Sequence, residues 1–253
     1  MTVVAVHQPN FFPWLGYFDK IARSDVFVFL DHVAPPLGGS SRINRVEILI
    51  NGKKAWLTVP TRRGREARQS IAAMPLGIDA SWRAKLERTI AQNYARAPYA
   101  ESVMPIVRDL LALPAASLGH YNEQVIRALC ERLALTKAKL VSSNVLGIGA
   151  LTATDLLIAI VKACGGSTYL SGDGADGYQE AASYAAERIG LIFQEYRQPS
   201  YLQGGGDFVA GLSIIDALMH CGFEGTARLI RTAAERPLAQ RITPSRCAES
   251  PDL

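Results

Sequence analysis

His7 and Asp31 each close a short apolar run, and they are the first candidates for chemistry in this chain. An imidazole in such a place can act as a general base, or donate to a carbonyl or phosphate. A carboxylate beside it can orient the ring or hold an ammonium group. Around His7 the turn HQPNFFP offers Gln8 and Asn10 as contacts, with Asn10 more a turn former than a contact and Phe11, Phe12 and Trp14 mainly packing residues. A second candidate is SGDGADGY, residues 171–178, in which glycines separate an apolar run from a helical one. There the backbone can approach a ligand, and the helix start that follows favours an anion. The loop is neither the dinucleotide fingerprint nor a P-loop, and Asp173 and Asp176 argue against a bare phosphate cradle. Gly172, Asp173, Gly174 and Tyr178 are its candidate contacts. Ser142, Ser143 and Asn144 follow a third apolar run, where hydroxyls either meet a ligand or cap the next helix. Arg42, Arg45 and the group Arg62, Arg63, Arg65 and Arg68 read either as anion-binding residues or as a solvated basic loop.

Other chemistries fit poorly. The chain has no H-E-x-x-H, no close His/Cys cluster and no G-x-S-x-G elbow, so no metal site and no serine hydrolase is expected. His220 and Cys221 are neighbours on a helical segment and point in different directions. Cys130, Cys164, Cys221 and Cys247 form no C-x-x-C pair and read as reduced thiols of a cytoplasmic protein, three of them in the core. The 253 residues carry a formal net charge of +4, and the arginine cluster has no interleaved aromatics, so nucleic acid is not the expected partner. No apolar stretch reaches the ~18 residues of a membrane span, and residues 2–6 are too short for a signal-peptide core. The expected partner is a small molecule.

The elements that must position these residues are legible from periodicity. Residues 2–6 form a β-branched run, Trp14, Phe18 and Ile21 recur at helical spacing, and 26–30 is a second apolar run. Strand, helix and strand in this order make a right-handed βαβ unit with parallel strands. Ligands of open parallel sheets bind beyond the carboxyl ends of the strands, which is where His7 and Asp31 fall. Asn51-Gly52 between two apolar runs predicts a hairpin with strands near 45–50 and 53–59. Three helices follow, the first capped by Asp79 and the third running from Ser117 to Leu133, with no strand between them. The α/β alternation resumes with strands at 139–142, 168–171 and 191–196, a helix capped by Thr154, and a helix over 178–189. Ser213 and Asp216 read as a capping box, and Gly222 ends the helix they start. The expected fold is therefore a Rossmann-like α/β parallel sheet of about five strands. It forms one domain over 1–236, with a hairpin insertion near 43–60, a helical cap near 79–135 and a disordered tail over 237–253.

The stretch VHQPNFFPWLGYFDKIARSDVFVFLD, with RINRVEILINGKKAWLTVP, TYLSGDGADGY and DFVAGLSIIDALMHCG, resembles the WbqC-like family over about residues 3–223. Members look like products of polysaccharide and natural-product gene clusters, so the resemblance implies tailoring of a sugar or a specialised small molecule. His220 and Asp173 depart from the family's usual pattern. A more distant likeness joins the opening unit to nucleotidylyltransferases and pantothenate synthetase. The two histidines of that superfamily's H-x-G-H motif would fall on Trp14 and Tyr17 here, with only Gly16 kept. The cofactor is left open, since ATP has no intact nucleotide motif. The leading expectation is a transferase that forms an amide, passing an acyl or aminoacyl group to an amine such as that of an amino sugar. His7 would be the base and Asp31 its orienter, with Arg42, Arg45 and the 62–68 arginines holding a phosphorylated or carboxylated donor. Ser143 and the 172–177 loop would hold the second substrate. The alternatives are a non-catalytic binding module and an ATP-dependent ligase of the pantothenate-synthetase type.

Overall fold

The structure, a computed structural model, describes residues 1–36, 41–61, 69–77, 79–172 and 180–242. The element order begins as the periodicity predicts, with β1 (Val3–His7), α1 (Leu15–Ala22) and β2 (Val26–Phe29). β1 and β2 are parallel, with Val4 opposite Val26 and His7 opposite Phe29. The Asp25 carboxylate fixes that register by accepting from the Val3 amide at 2.8 Å.

Five parallel strands and one antiparallel strand make the main sheet. β5 (Lys139–Ser142), β6 (Thr168–Ser171), β7 (Gly190–Phe193) and β8 (Ala239–Ile242) join the first two in the order β5-β2-β1-β6-β7-β8. The chain moves from β1 to one side and returns to build the other side from β6. The strand order thus reverses between β1 and β6, and a crevice opens at such a point. β8 corrects the expected tail. Residues 239–242 lack an apolar period, yet they pair antiparallel with β7 because its free edge offers unpaired backbone groups.

Side chains alternate across the sheet. Ala5, Phe27, Phe29, Leu170 and Ile192 face one apolar cluster, and Val4, Val6, Val28, Tyr169, Leu191 and Phe193 face the other. The second cluster is covered by α5 (Ala153–Ala163) and α6 (Ala181–Ala186). The first is covered by α1, α4 (Leu118–Arg132) and α7 (Ile214–Ala234). α2 (Ala80–Asn93) and α3 (Ala100–Ala112) add their apolar stripes to this same cluster. The three successive helices therefore thicken one layer of the core, and α4 reaches the carboxyl edge of the sheet.

The hairpin forms where Asn51-Gly52 placed it, as β3 (Arg45–Ile50) and β4 (Lys53–Thr58). Both turn residues have positive φ, 51° and 73°, as a type I′ turn requires. Val46, Ile48 and Leu57 are buried, while Trp56 faces outward. Asp79 and Ser117 cap α2 and α4 through the amides of Trp82 and His120. The α5 cap position belongs to Thr152 rather than Thr154. α6 is shorter than the 178–189 expected, and the helical run at 214–234 breaks at Gly222. Among the described residues no helix is long and apolar enough to cross a membrane.

Candidate active site

His7 closes β1 and packs its ring against two aromatics of the next segment, edge-on to Trp14 at 5.7 Å and to Tyr17 at 4.8 Å. Its Nδ1 lies 3.0 Å from the Gln8 carbonyl, which also accepts from the Tyr17 hydroxyl at 3.1 Å. A carbonyl only accepts, so Nδ1 carries the proton and Nε2 is left as the acceptor. Burial, helped by the ammonium of Lys20, pushes the His7 pKa down to about 3. The ring is neutral at physiological pH and a weaker base than the role expected of it demands. Lys20 is buried and donates to the Val6 carbonyl at 3.0 Å. A Cβ placed on Gly172 would stand 3.5 Å from its Nζ. The ammonium thus lies between the ends of β1 and β6, where the strand order reverses.

Asp31 lies just beyond β2, the strand paired with β1, and the Leu30 amide donates to the His7 carbonyl at 2.9 Å. The Asp31 carboxylate accepts from the hydroxyls of Ser142 at 2.7 Å and Ser143 at 2.9 Å, and from the Asn144 amide at 3.0 Å. Ser143 is also 2.6 Å from Nδ1 of His32, so this one hydroxyl ties the ends of β2 and β5 together. Above them, α4 contributes Glu123, which is 8% exposed and close enough to Asp31 to feel its charge. Burial first, and then the Asp31 charge, push the Glu123 pKa up to about 7. Arg127, at 3.7 Å, opposes the shift. Tyr17 joins the two halves of the site, because it touches the His7 ring and lies within the field of Glu123.

The turn between His7 and α1 is held from above. Asn122, next to Glu123, donates to the carbonyls of Pro9 at 2.9 Å and Ile43 at 2.7 Å, and the Phe11 amide donates to the Arg42 carbonyl at 3.1 Å. Gln8 is partly buried, and Asn10 is buried at 3% exposure. Arg42 and Arg45 stand apart on the hairpin side. Arg42 lies 5.4 Å from the Trp14 ring and 3.2 Å from Glu47, and Arg45 lies 4.4 Å over the Trp56 ring. Asp173, Gly174, Tyr178 and the arginines of 62–68 lie outside the described residues.

The carboxyl edge thus gathers His7, Asp31, Ser143 and Gly172, to which the structure adds Lys20 and Glu123. Both additions had a weak sequence signal. Each is a charged residue on the inward stripe of its helix, Lys20 beside Ile21 and Glu123 in line with Ile126 and Cys130. The Ser213–Asp216 box forms only in part. Ser213 caps the Ile215 amide, whereas Asp216 accepts from Tyr94 at 2.9 Å, Tyr201 at 2.7 Å and Gln203 at 2.9 Å. His220 packs on Tyr94, and burial pushes the half-buried Cys221 thiol up, which leaves that pair without an activated nucleophile. A hollow of about 270 Å³ lined by Ala22, Leu135, Lys137 and Arg231 lies at the opposite, amino edge of the sheet.

The model of the WbqC-like protein family matches residues 8–228. The uncharacterized protein Rv1507c of Mycobacterium tuberculosis is 28% identical over 229 residues, covering 88% of this chain and 96% of that protein. No solved structure matches the chain.

Proposed function

We propose, from the premise that this chain belongs to the WbqC-like protein family, that it forms an amide by passing an acyl or aminoacyl group to an amine. The observation that carries the reading is the Asp31–Glu123 pair at the carboxyl ends of β2 and β5. An amine at neutral pH is an ammonium ion and attacks only after losing a proton. Glu123, with a pKa raised to about 7, takes that proton more readily than an ordinary carboxylate and still releases it near neutrality. The Asp31 carboxylate, held by Ser142, Ser143 and the Asn144 amide, stands beside the ammonium. Glu123 releases this first proton to solvent, the freed nitrogen attacks the acyl carbon, and Glu123 then takes the second proton from the nitrogen and passes it to the leaving group as the bond to that group breaks. Nε2 of neutral His7 serves as a hydrogen-bond acceptor that orients the amine. Lys20 meets the negative charge of the donor. Modification of a sugar or natural-product intermediate is the setting that the resemblance implies, and it is part of this proposal.

The test is incubation with amino sugars and activated acyl donors, read by mass spectrometry. Glu123→Gln is expected to lose product while melting no lower than the parent chain at neutral pH. Unchanged turnover in this variant removes the assignment. A second reading, a non-catalytic carrier, is favoured by the three hydrogen bonds that already occupy Asp31. It requires a ligand that binds tightly and is recovered unchanged, which calorimetry followed by mass spectrometry detects.

A further inference from the structure

The hairpin presents one face to the core and one to solvent. In its register Glu47 is opposite Trp56, Arg45 is opposite Thr58, and Leu49 is opposite Lys54. These residues share the outward face, because Val46, Ile48 and Leu57 of the alternate positions are buried. Trp56 remains 43% exposed on this face. The Arg45 guanidinium lies 4.4 Å from the centre of its ring and the Arg42 guanidinium 5.6 Å. Arg42 is also 5.4 Å from the Trp14 ring, which in turn packs on His7. A line of rings and guanidinium groups therefore runs from the candidate site to the surface.

The charge along this line is unbalanced. Arg42, Arg45 and Lys54 meet a single carboxylate, Glu47, which engages Arg42 at 3.2 Å and Lys54 at 3.9 Å. Arg45 donates through Nε to the Ser41 carbonyl, and among the described residues it has no carboxylate partner. An exposed indole beside a guanidinium rich in unused donors fits a ligand with both a ring face and a phosphate. Bare anions would gain nothing from the indole, and a neutral ring would gain nothing from the excess charge.

We propose that the outward face of β3–β4 binds a phosphate-bearing ring compound, its ring stacked on Trp56 and its phosphate paired with Arg45 and Arg42. It rests on the amide-forming reading only in making this compound a substrate of that reaction, since the line of contacts leads to His7.

The experiment is calorimetry on the full chain with three probes: uridine diphosphate, glucose 1-phosphate and inorganic pyrophosphate. At least one of the two ring compounds is expected to bind about tenfold tighter than pyrophosphate, and the tighter of them identifies the ring as a nucleobase or a sugar. Trp56→Ala should weaken that binding about tenfold and Trp56→Phe should retain it, because stacking needs only an aromatic face. Arg45→Met should weaken it and reduce its dependence on salt. Pyrophosphate binding as tightly as both ring compounds, an unchanged affinity in Trp56→Ala, or no saturable binding of any probe overturns the proposal. Binding is read without turnover, so its failure leaves amide formation standing, and a missing amide product leaves a positive binding result intact.

Discussion

Two titratable side chains at the carboxyl edge respond to pH in opposite senses. Glu123 has its pKa raised in the fold, so the folded chain holds its proton more tightly than the unfolded one. Its contribution to stability is complete below the ordinary glutamate range and is lost as pH rises toward about 7. Glu123→Gln should therefore stabilise the chain at pH 8, by roughly 1 kcal/mol once solvent screening is allowed for, and flatten the dependence between pH 5 and 8. Melting temperatures across that range measure it. Amide formation should rise with pH through the same pKa and level off above it. His7 behaves the other way, because burial lowers its pKa. Its stabilising effect is present above the ordinary histidine value and is lost as pH falls toward about 3. Denaturant unfolding of His7→Gln should lose less stability between pH 7 and pH 5 than the parent chain does.

At the scale of elements, the position of α4 decides whether the carboxylates meet. Gly119 lets the helix approach the 71–73 turn so closely that a Cβ there would stand 2.7 Å from the Ile71 carbonyl oxygen. Gly119→Ala must push the two backbones apart. The expected cost is about 1–3 kcal/mol, with a Glu123 pKa displaced toward the ordinary range as it leaves Asp31. Chemical denaturation and a pH–rate profile report the two effects separately. The hairpin tolerates less subtle change at its turn. Gly52 has φ 73° with open space around it, so Gly52→Ala costs only the left-handed backbone, about 1 kcal/mol, and leaves the outward face intact.

Across the molecule, Asp216 connects parts that are distant in sequence. Its carboxylate accepts from Tyr94 at the end of α2 and from Tyr201 and Gln203 of the loop before α7. Asp216 is fully buried, so removing the acceptor takes the carboxylate from two phenols and from the Gln203 amide, which keeps its bonds to Val209. Asp216→Ala should cost about 3–5 kcal/mol, measured by urea unfolding, and Asp216→Asn less.

Period and turn chemistry determined much of this protein before any packing was considered. The βαβ opening, the hairpin at Asn51-Gly52, the cap at Asp79 and the parallel strands all follow from local spacing, because those preferences act over a few residues. Local spacing also put His7 and Asp31 at strand ends. Only the tertiary structure decided what surrounds them. Glu123 sits far along the chain from Asp31, and Lys20 faces inward at the strand-order reversal for reasons no local window contains. β8 forms because β7 has an open edge, not because 239–242 has a strand's pattern. A histidine's letter likewise says nothing of its basicity, which burial against Trp14 and Tyr17 sets. Secondary structure is written in neighbours along the chain, whereas charge, proton affinity and edge pairing depend on neighbours in space.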